Sequence, residues 1–280
     1  MIFLIDVGNT NIVIGISDGE KIINTLRTET IKEKDFDYVP VLKDLLCQKE
    51  KIRKVEGSIL SSVVPEVTKK LMEAIKSIYK VDTLLVDEII DESLNIQIDS
   101  PEKLGMDLKV DAVAALKKYP SPQLIFDLGT ATTCSVLDEN SCYIGGAIIP
   151  GLKVSLNALI EATSQLPMID CSIPIAEYIG KNTQDCMRIG ALCGHALMLE
   201  GFVREIQKKF SKPLHIALTG GLSTIVSQHM NIETTDNSPL LQENIETTFD
   251  PYLTLEGLLY LYQDFHKMGG NNEEQKETDQ

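Results

Sequence analysis

Two stretches of this chain put the same kinds of side chain in the same order. Asp6 closes the apolar run 2–5 and leads into Val7, Gly8, Asn9, Thr10 and Asn11. Asp127 closes the run 124–126 and leads into Leu128, Gly129, Thr130, Ala131 and Thr132. An acidic residue at the end of a buried strand, then glycine in a tight turn, then hydroxyl or amide side chains, suits a metal-bound polyphosphate. The glycine permits positive φ and lets a backbone N–H approach a phosphate oxygen. Thr or Asn donates a further hydrogen bond, and the carboxylate holds Mg²⁺ or its water shell. One such turn reads equally well as a plain hairpin. Two of them, 121 positions apart, point to paired domains whose carboxylates, Asp6 and Asp127, face one another across a cleft.

Other chemistry is thinner. Asp107 stands in Gly105-Met106-Asp107, just before the helix-like stretch 110–118. The residues alone leave a general base and a helix cap equally open there. A P-loop is excluded, because Gly180-Lys181 is followed by Asn182 and Ile175 stands where its first glycine belongs; no G-x-G-x-x-G exists either. His195 lies on an apolar helical stripe and reads as a core histidine. His215, His229 and His266 have no metal-ligand spacing, and the charged stretch 32–37 reads as a solvated loop.

The elements that must carry these residues alternate between β and α. Residues 2–16 and 124–137 each read as two short strands around a turn, and the overlay places Asn9, Thr10 and Asn11 on Thr130, Ala131 and Thr132. A repeat this long is not a solenoid unit, whose period is roughly 20–50 residues, so it implies two related α/β domains. Helices are expected over 66–80, 191–210 and 253–266, and strands over 80–88 and 214–218, the latter ending at Thr219-Gly220-Gly221. The expected division is an N-terminal domain over 1–118, a C-terminal domain over 119–268, and a disordered tail over 269–280, where nothing apolar follows Met268.

Composition removes whole classes of function. Forty-one acidic residues against 26 basic ones leave a net charge of −15, which repels a phosphodiester backbone and argues against nucleic-acid binding. No apolar run approaches the roughly 20 residues of a membrane span. The short apolar start has no preceding Lys or Arg and meets Asp6 at once, unlike a secretion signal, so a cytoplasmic protein is expected. Cys47, Cys134, Cys142, Cys171, Cys186 and Cys193 include no C-x-x-C and are expected to be reduced, mostly buried thiols. Aromatic residues are 5% and Trp is absent, which argues against base-stacking platforms.

Taken together, DVGNT at 6–10, SSVVP at 61–65, GMD at 105–107, DLGTATT at 127–133, GGAIIPG at 145–151, GKNT at 180–183, TGG at 219–221 and DPYLTLEGL at 250–258 resemble the type III pantothenate kinases over nearly the whole chain. The resemblance implies the actin, sugar kinase and Hsp70 type of fold, with two ribonuclease H-like domains, ATP between them, and a homodimer. It implies ATP-dependent phosphorylation of the primary hydroxyl of pantothenate, the first step toward coenzyme A, with Mg²⁺ and a monovalent cation, K⁺ or NH₄⁺.

Carried over by position, the resemblance makes Asp6, Val7, Gly8, Asn9, Thr10, Asn11, Ile12 and Val13 the first phosphate loop, with Asp6 holding Mg²⁺ through the phosphates. It gives Asp127 the monovalent cation, Thr130 a contact with ATP, and Asp107 the role of general base. Gly105, Met106, Asp107 and Leu108 become the substrate loop and Thr183 a pantothenate contact, while Thr219-Gly220-Gly221 lies toward adenosine. The chain departs from the family at Leu108, where an arginine ordinarily grips the pantothenate carboxylate; Lys103 and Lys109 are the nearby cations. That departure keeps a kinase of another small hydroxy acid or polyol as an alternative. A non-catalytic nucleotide-binding regulator, as in the Bvg accessory factors that resemble this family, is a second.

Overall fold

A computed structural model describes residues 1–47, 54–90, 94–173, 175, 177–230 and 245–278; the side chain of Cys47 and residues 279–280 lie outside the described residues. Ile2–Val7 (β1), Asn11–Ser17 (β2) and Ile22–Glu29 (β3) pair antiparallel in succession. Tyr38–Cys47 (α1) precedes Gly57–Ser62 (β4), which joins β1 in parallel. Pro65–Tyr79 (α2) then leads to Thr83–Leu85 (β5), completing the order β3-β2-β1-β4-β5. Met106–Lys118 (α3) follows.

Strand β1 is buried on both faces, which is why its sequence is a continuous apolar run. Alternation sorts its residues. Phe3, Ile5 and Val7 join Ile14 and Leu60 on one face, against Tyr38 and Leu42 of α1 and Val67, Leu71 and Ile75 of α2. Leu4 and Asp6 leave on the other face. Helix α2 begins with Pro65 in its first turn and ends at Lys80, whose φ of 60° is left-handed.

The second sheet repeats the first. Gln123–Leu128 (β6), Ala131–Leu137 (β7) and Tyr143–Pro150 (β8) form the antiparallel strands. After Leu152–Glu161 (α4) and Thr183–Gln207 (α5) comes His215–Thr219 (β9), then Ser223–Ser227 (α6) and Glu246–Phe249 (β10), in the order β10-β9-β6-β7-β8. β6 and β7 carry the same burial patterns as β1 and β2, and both hairpins shift register at matching places, Ile16/Ser17 and Val136/Leu137.

Asn11 opens β2 and Ala131 opens β7, so Asn11 corresponds to Ala131 and not, as the overlay of the two stretches places it, to Thr132. The second turn is a residue shorter than the first. Each is closed by its glycine N–H, Gly8 to the Asn11 carbonyl and Gly129 to the Ala131 carbonyl, both at 3.0 Å.

Helix α5 is long and apolar enough, by length and composition, to cross a membrane, but half of that stretch is buried and it is the core helix of its sheet. Its Leu192, Ala196, Leu199 and Val203 pack on Leu124, Phe126 and Leu128. His195 is a core residue, 3.0 Å from the Thr132 hydroxyl, with burial holding its pKa below the usual histidine value. Among the described residues Cys134, Cys142, Cys171, Cys186 and Cys193 form no disulfide, and three of them are buried.

The chain divides into two compact units: Met1–Asn95 with Ser100–Lys117 and Leu253–Gln280, and Ile96–Asp99 with Lys118–Tyr252. The final helix, Leu253–Thr278 (α7), therefore returns to the first unit, whereas the order of the sequence places it with the second. Close packing explains the return. Leu255 fills the space over Gly15 beside Leu4, the Tyr262 ring covers Gly57, Gly257 abuts the Val110 carbonyl of α3, and Lys117 pairs with Asp264. Ile96–Asp99 joins the second unit through the Gln97 N–H, which donates to the Tyr143 carbonyl at 2.8 Å. Helix α7 also runs through residues 269–278, where disorder is expected from composition; Glu, Gln and Lys are good helix formers, and extending an existing helix avoids the cost of nucleation.

Candidate active site

In the first unit the turn after β1 is held from several sides. Besides the Gly8 bond, the Thr30 N–H donates to the Thr10 carbonyl at 3.0 Å and its hydroxyl donates to the Gly8 carbonyl at 2.7 Å. Lys32 Nζ donates to Asn9 Oδ1 at 2.8 Å, which sets a cation beside the exposed Asn9 and Thr10. Sequence reasoning missed both Thr30 and Lys32. Neither has a local signal, because β3 brings them back to the turn.

Asp6 is half-buried opposite Val13 of β2 and Ser61 of β4, on the sheet face that α7 covers. Helix α3 packs against α7, and the Thr254 hydroxyl donates to Asp111 Oδ1 at 2.6 Å. The first turn of α3 carries Asp107, so Asp6 and Asp107 belong to one unit.

Asp107 is half-buried, and its Oδ1 accepts the Leu108 N–H at 2.9 Å. Burial pushes its pKa above the usual carboxylate value, while the Leu108 N–H pulls the other way. A carboxylate so placed is a better proton acceptor than an exposed one. Gly105, Met106 and Leu108 are half-buried beside it, Lys109 is buried and Lys103 exposed.

In the second unit β6 and β9 bring Asp127 and Thr219 together, and the chain then bends through Gly220. Gly220 has φ of 87°, and a Cβ there would strike Asp127 Oδ1 and the Leu128 backbone. The Leu222 N–H donates to the Leu128 carbonyl at 3.1 Å and ties this bend to the turn. Gly151, which precedes α4, packs on the carbonyls of Gly129 and Thr130. Thr130 is exposed at the tip. Asp127, Thr130 and the Thr219-Gly220-Gly221 segment thus form one cluster.

Thr183 opens α5 and is exposed. It is fixed by Asn182, whose Oδ1 accepts the Asp185 N–H at 2.9 Å and whose amide donates to Asp185 Oδ2 at 2.6 Å. Arg188 holds Asp185 from behind at 2.6 Å.

Among the described residues no three His, Cys, Asp or Glu side chains gather as a metal cage. That suits Mg²⁺ arriving on phosphates, since it keeps much of its water and needs only one or two protein carboxylates. The half-buried Asp6 and the buried Ser61 hydroxyl opposite it fit a hydrated cation of this kind.

Known proteins share this architecture and sequence. A solved structure from Campylobacter jejuni, described as a putative Baf family transcriptional activator, aligns with a TM-score of 0.52 over 95% of this chain and 99% of its own, at 16% identity. A ROK family glucokinase from Streptomyces griseus, solved with glucose and AMPPNP, aligns with a TM-score of 0.53 over 92% and 98%, at 10% identity. At such identities they show the fold alone, the two-domain α/β fold of actin-like ATPases and ROK sugar kinases.

Sequence reaches further. Type III pantothenate kinases from Geobacillus sp. strain WCH70 and Exiguobacterium sp. are 36% and 37% identical, each over 94% of this chain and at least 97% of their own length. With the profile of that family also matching residues 2–205, this chain belongs to the type III pantothenate kinases.

Proposed function

We propose that this chain transfers the γ-phosphoryl group of ATP to the primary hydroxyl of pantothenate, the opening step of coenzyme A biosynthesis. The observation that carries the reading is the duplicated turn, in which a half-buried carboxylate stands one residue before the end of a strand and a glycine N–H closes the loop behind it, once in each unit. Asp107 adds a half-buried carboxylate with a raised pKa at the start of α3.

Phosphoryl transfer is chiefly a matter of alignment and of offsetting charge. In this reading Asp6, Val7, Gly8, Asn9, Thr10, Asn11, Ile12 and Val13 hold phosphate, with Lys32 adding positive charge at Asn9. Thr130 touches ATP from the second turn. Asp6 would hold Mg²⁺ through the phosphates, and the ion would supply positive charge against the negative charge of the transferred group. Asp127, with oxygen ligands that suit a hard cation, takes K⁺ or NH₄⁺. Gly105, Met106, Asp107 and Leu108 line the acceptor and Thr183 contacts pantothenate. Asp107 accepts the hydroxyl proton as the oxygen attacks phosphorus.

A homodimer in the cytoplasm belongs to the same reading. Ile144 and Ile148 on β8, Val154 and Leu159 on α4 and Leu197 on α5 are exposed in the second unit, and Ile148 is 78% exposed, which supports self-association. Cysteines that form no disulfide among the described residues support a reducing compartment. Sedimentation that gives a monomer at micromolar concentration would count against the dimer.

Leu108 favours a second reading, a kinase of this fold acting on another small hydroxy acid or polyol, because leucine cannot grip a carboxylate. A coupled ATP-consumption assay separates the two. Turnover with pantothenate in Mg²⁺ and K⁺ supports the first, turnover with other hydroxy compounds alone supports the second, and ATP binding without any turnover points to a nucleotide-binding regulator.

A further inference from the structure

Ser61, one residue before the end of β4, has no exposed surface, and its Oγ is a buried side-chain atom without a hydrogen-bond partner. Leaving a buried hydroxyl unpaired opposes folding, so one that persists calls for an explanation. The other two such atoms among the described residues sit in held groups: His215 Nδ1 lies 3.6 Å from Glu246, and Gln123 donates its amide to the Tyr119 carbonyl. The neighbouring serine differs as well. Ser62 Oγ accepts the Val64 N–H at 3.0 Å and the Thr68 hydroxyl at 2.7 Å, fixing the entry to α2.

The place of Ser61 supplies the explanation. It is the register partner of Asp6 on adjacent parallel strands, so the two side chains leave the sheet on the same face. The second unit repeats the pair, since Thr219, 1% exposed, is the register partner of Asp127. Each strand-end carboxylate thus has a buried hydroxyl beside it, across a strand pairing that sequence distance conceals.

We propose that Ser61 is a binding residue for the hydrated divalent cation that the triphosphate brings to Asp6. Its Oγ accepts a hydrogen bond from a water of the metal's shell, and the second hydrogen of that water goes to the Asp6 carboxylate. This rests on the placing of Mg²⁺ and ATP at the first turn, and it adds a specific contact that the hydroxyl makes only when the nucleotide is bound.

The test compares the full-length wild type with Ser61→Ala, Ser61→Thr and Ser62→Ala, using melting without ligand and calorimetric titration with ATP in Mg²⁺ or in EDTA. Ser61→Ala is expected to melt at or above the wild-type temperature, because it deletes an unsatisfied group. It should bind Mg·ATP about tenfold more weakly, as loss of an outer-shell partner does, and metal-free ATP unchanged. Ser61→Thr, matching Thr219, should restore binding, and Ser62→Ala should melt lower. Undiminished Mg·ATP binding by Ser61→Ala, an equal loss with and without metal, or a melting drop as large as that of Ser62→Ala each overturns the proposal. Wild-type protein that fails to bind Mg·ATP overturns the nucleotide reading itself, and this contact with it.

Discussion

Gly220 lies so close to Asp127 that a Cβ on the glycine would strike the carboxylate oxygen and the backbone of Leu128, and its φ of 87° is one that other residues adopt only under strain. Gly220→Ala therefore pushes on the carboxylate assigned to the monovalent cation while it strains the bend. Loss of about 1–3 kcal/mol in urea unfolding is expected, together with weaker activation by K⁺. A variant with wild-type unfolding and K⁺ dependence would show that the bend relaxes without disturbing Asp127.

Asp107 trades stability for proton acceptance. Burial raises its folded-state pKa, so between the ordinary aspartate value near 3.9 and that raised value the folded protein binds more protons than the unfolded chain. Stability contributed by this group is thus complete below the ordinary value and is lost as pH rises through the raised one. Asp107→Asn removes the buried charge. It should melt higher than wild type at neutral pH, with the difference vanishing below the ordinary aspartate range, and lose about 10²- to 10⁴-fold in turnover while still binding ATP. The acid limb of the wild-type rate profile should lie above the ordinary aspartate value. Retained turnover in Asp107→Asn would assign the base elsewhere.

The hairpins were legible because β1 and β6 are buried on both faces, and a glycine after an aspartate marks where each apolar run must stop. The length of the second turn was not, since only strand register shows that Ala131 re-enters the sheet. Strands β3 and β8 have edge-like, weakly alternating sequences. β3 nevertheless returns Thr30 and Lys32 to the phosphate turn, so a stretch with the composition of a solvated loop became part of the candidate site. Ser61 stands 55 positions from Asp6 and is its neighbour only through parallel pairing. The return of α7 is likewise invisible in linear order, because apolar periodicity shows that a helix has a buried face and not which sheet covers it.

Lys32 gives a direct check on the first turn. Its ammonium reaches Asn9 from an exposed position, so its effect on bound phosphate is that of a surface charge, about 1 kcal/mol. Lys32→Ala should raise the KM for ATP roughly fivefold with little change in kcat or in the KM for pantothenate. Added salt should raise the wild-type KM for ATP more than that of the variant, because screening acts on the charge that has been removed. Equal salt dependence would mean that Lys32 only braces Asn9.

Leu108 decides how the acid end of the acceptor is held. It is half-buried in the turn with Asp107, while Lys109, the next cation along the chain, is buried. Leu108→Arg offers a bidentate fork at the place where the family ordinarily has one, and a charge-assisted hydrogen bond is worth about 1.5–3 kcal/mol. If pantothenate lies along Gly105, Met106, Asp107 and Leu108, its KM should fall by roughly ten- to a hundredfold while the KM for ATP stays fixed. An unchanged KM for pantothenate, with wild-type turnover, would place the carboxylate against other residues. A preference shifted toward pantothenate from a better wild-type substrate would identify Leu108 as the residue that sets acceptor specificity.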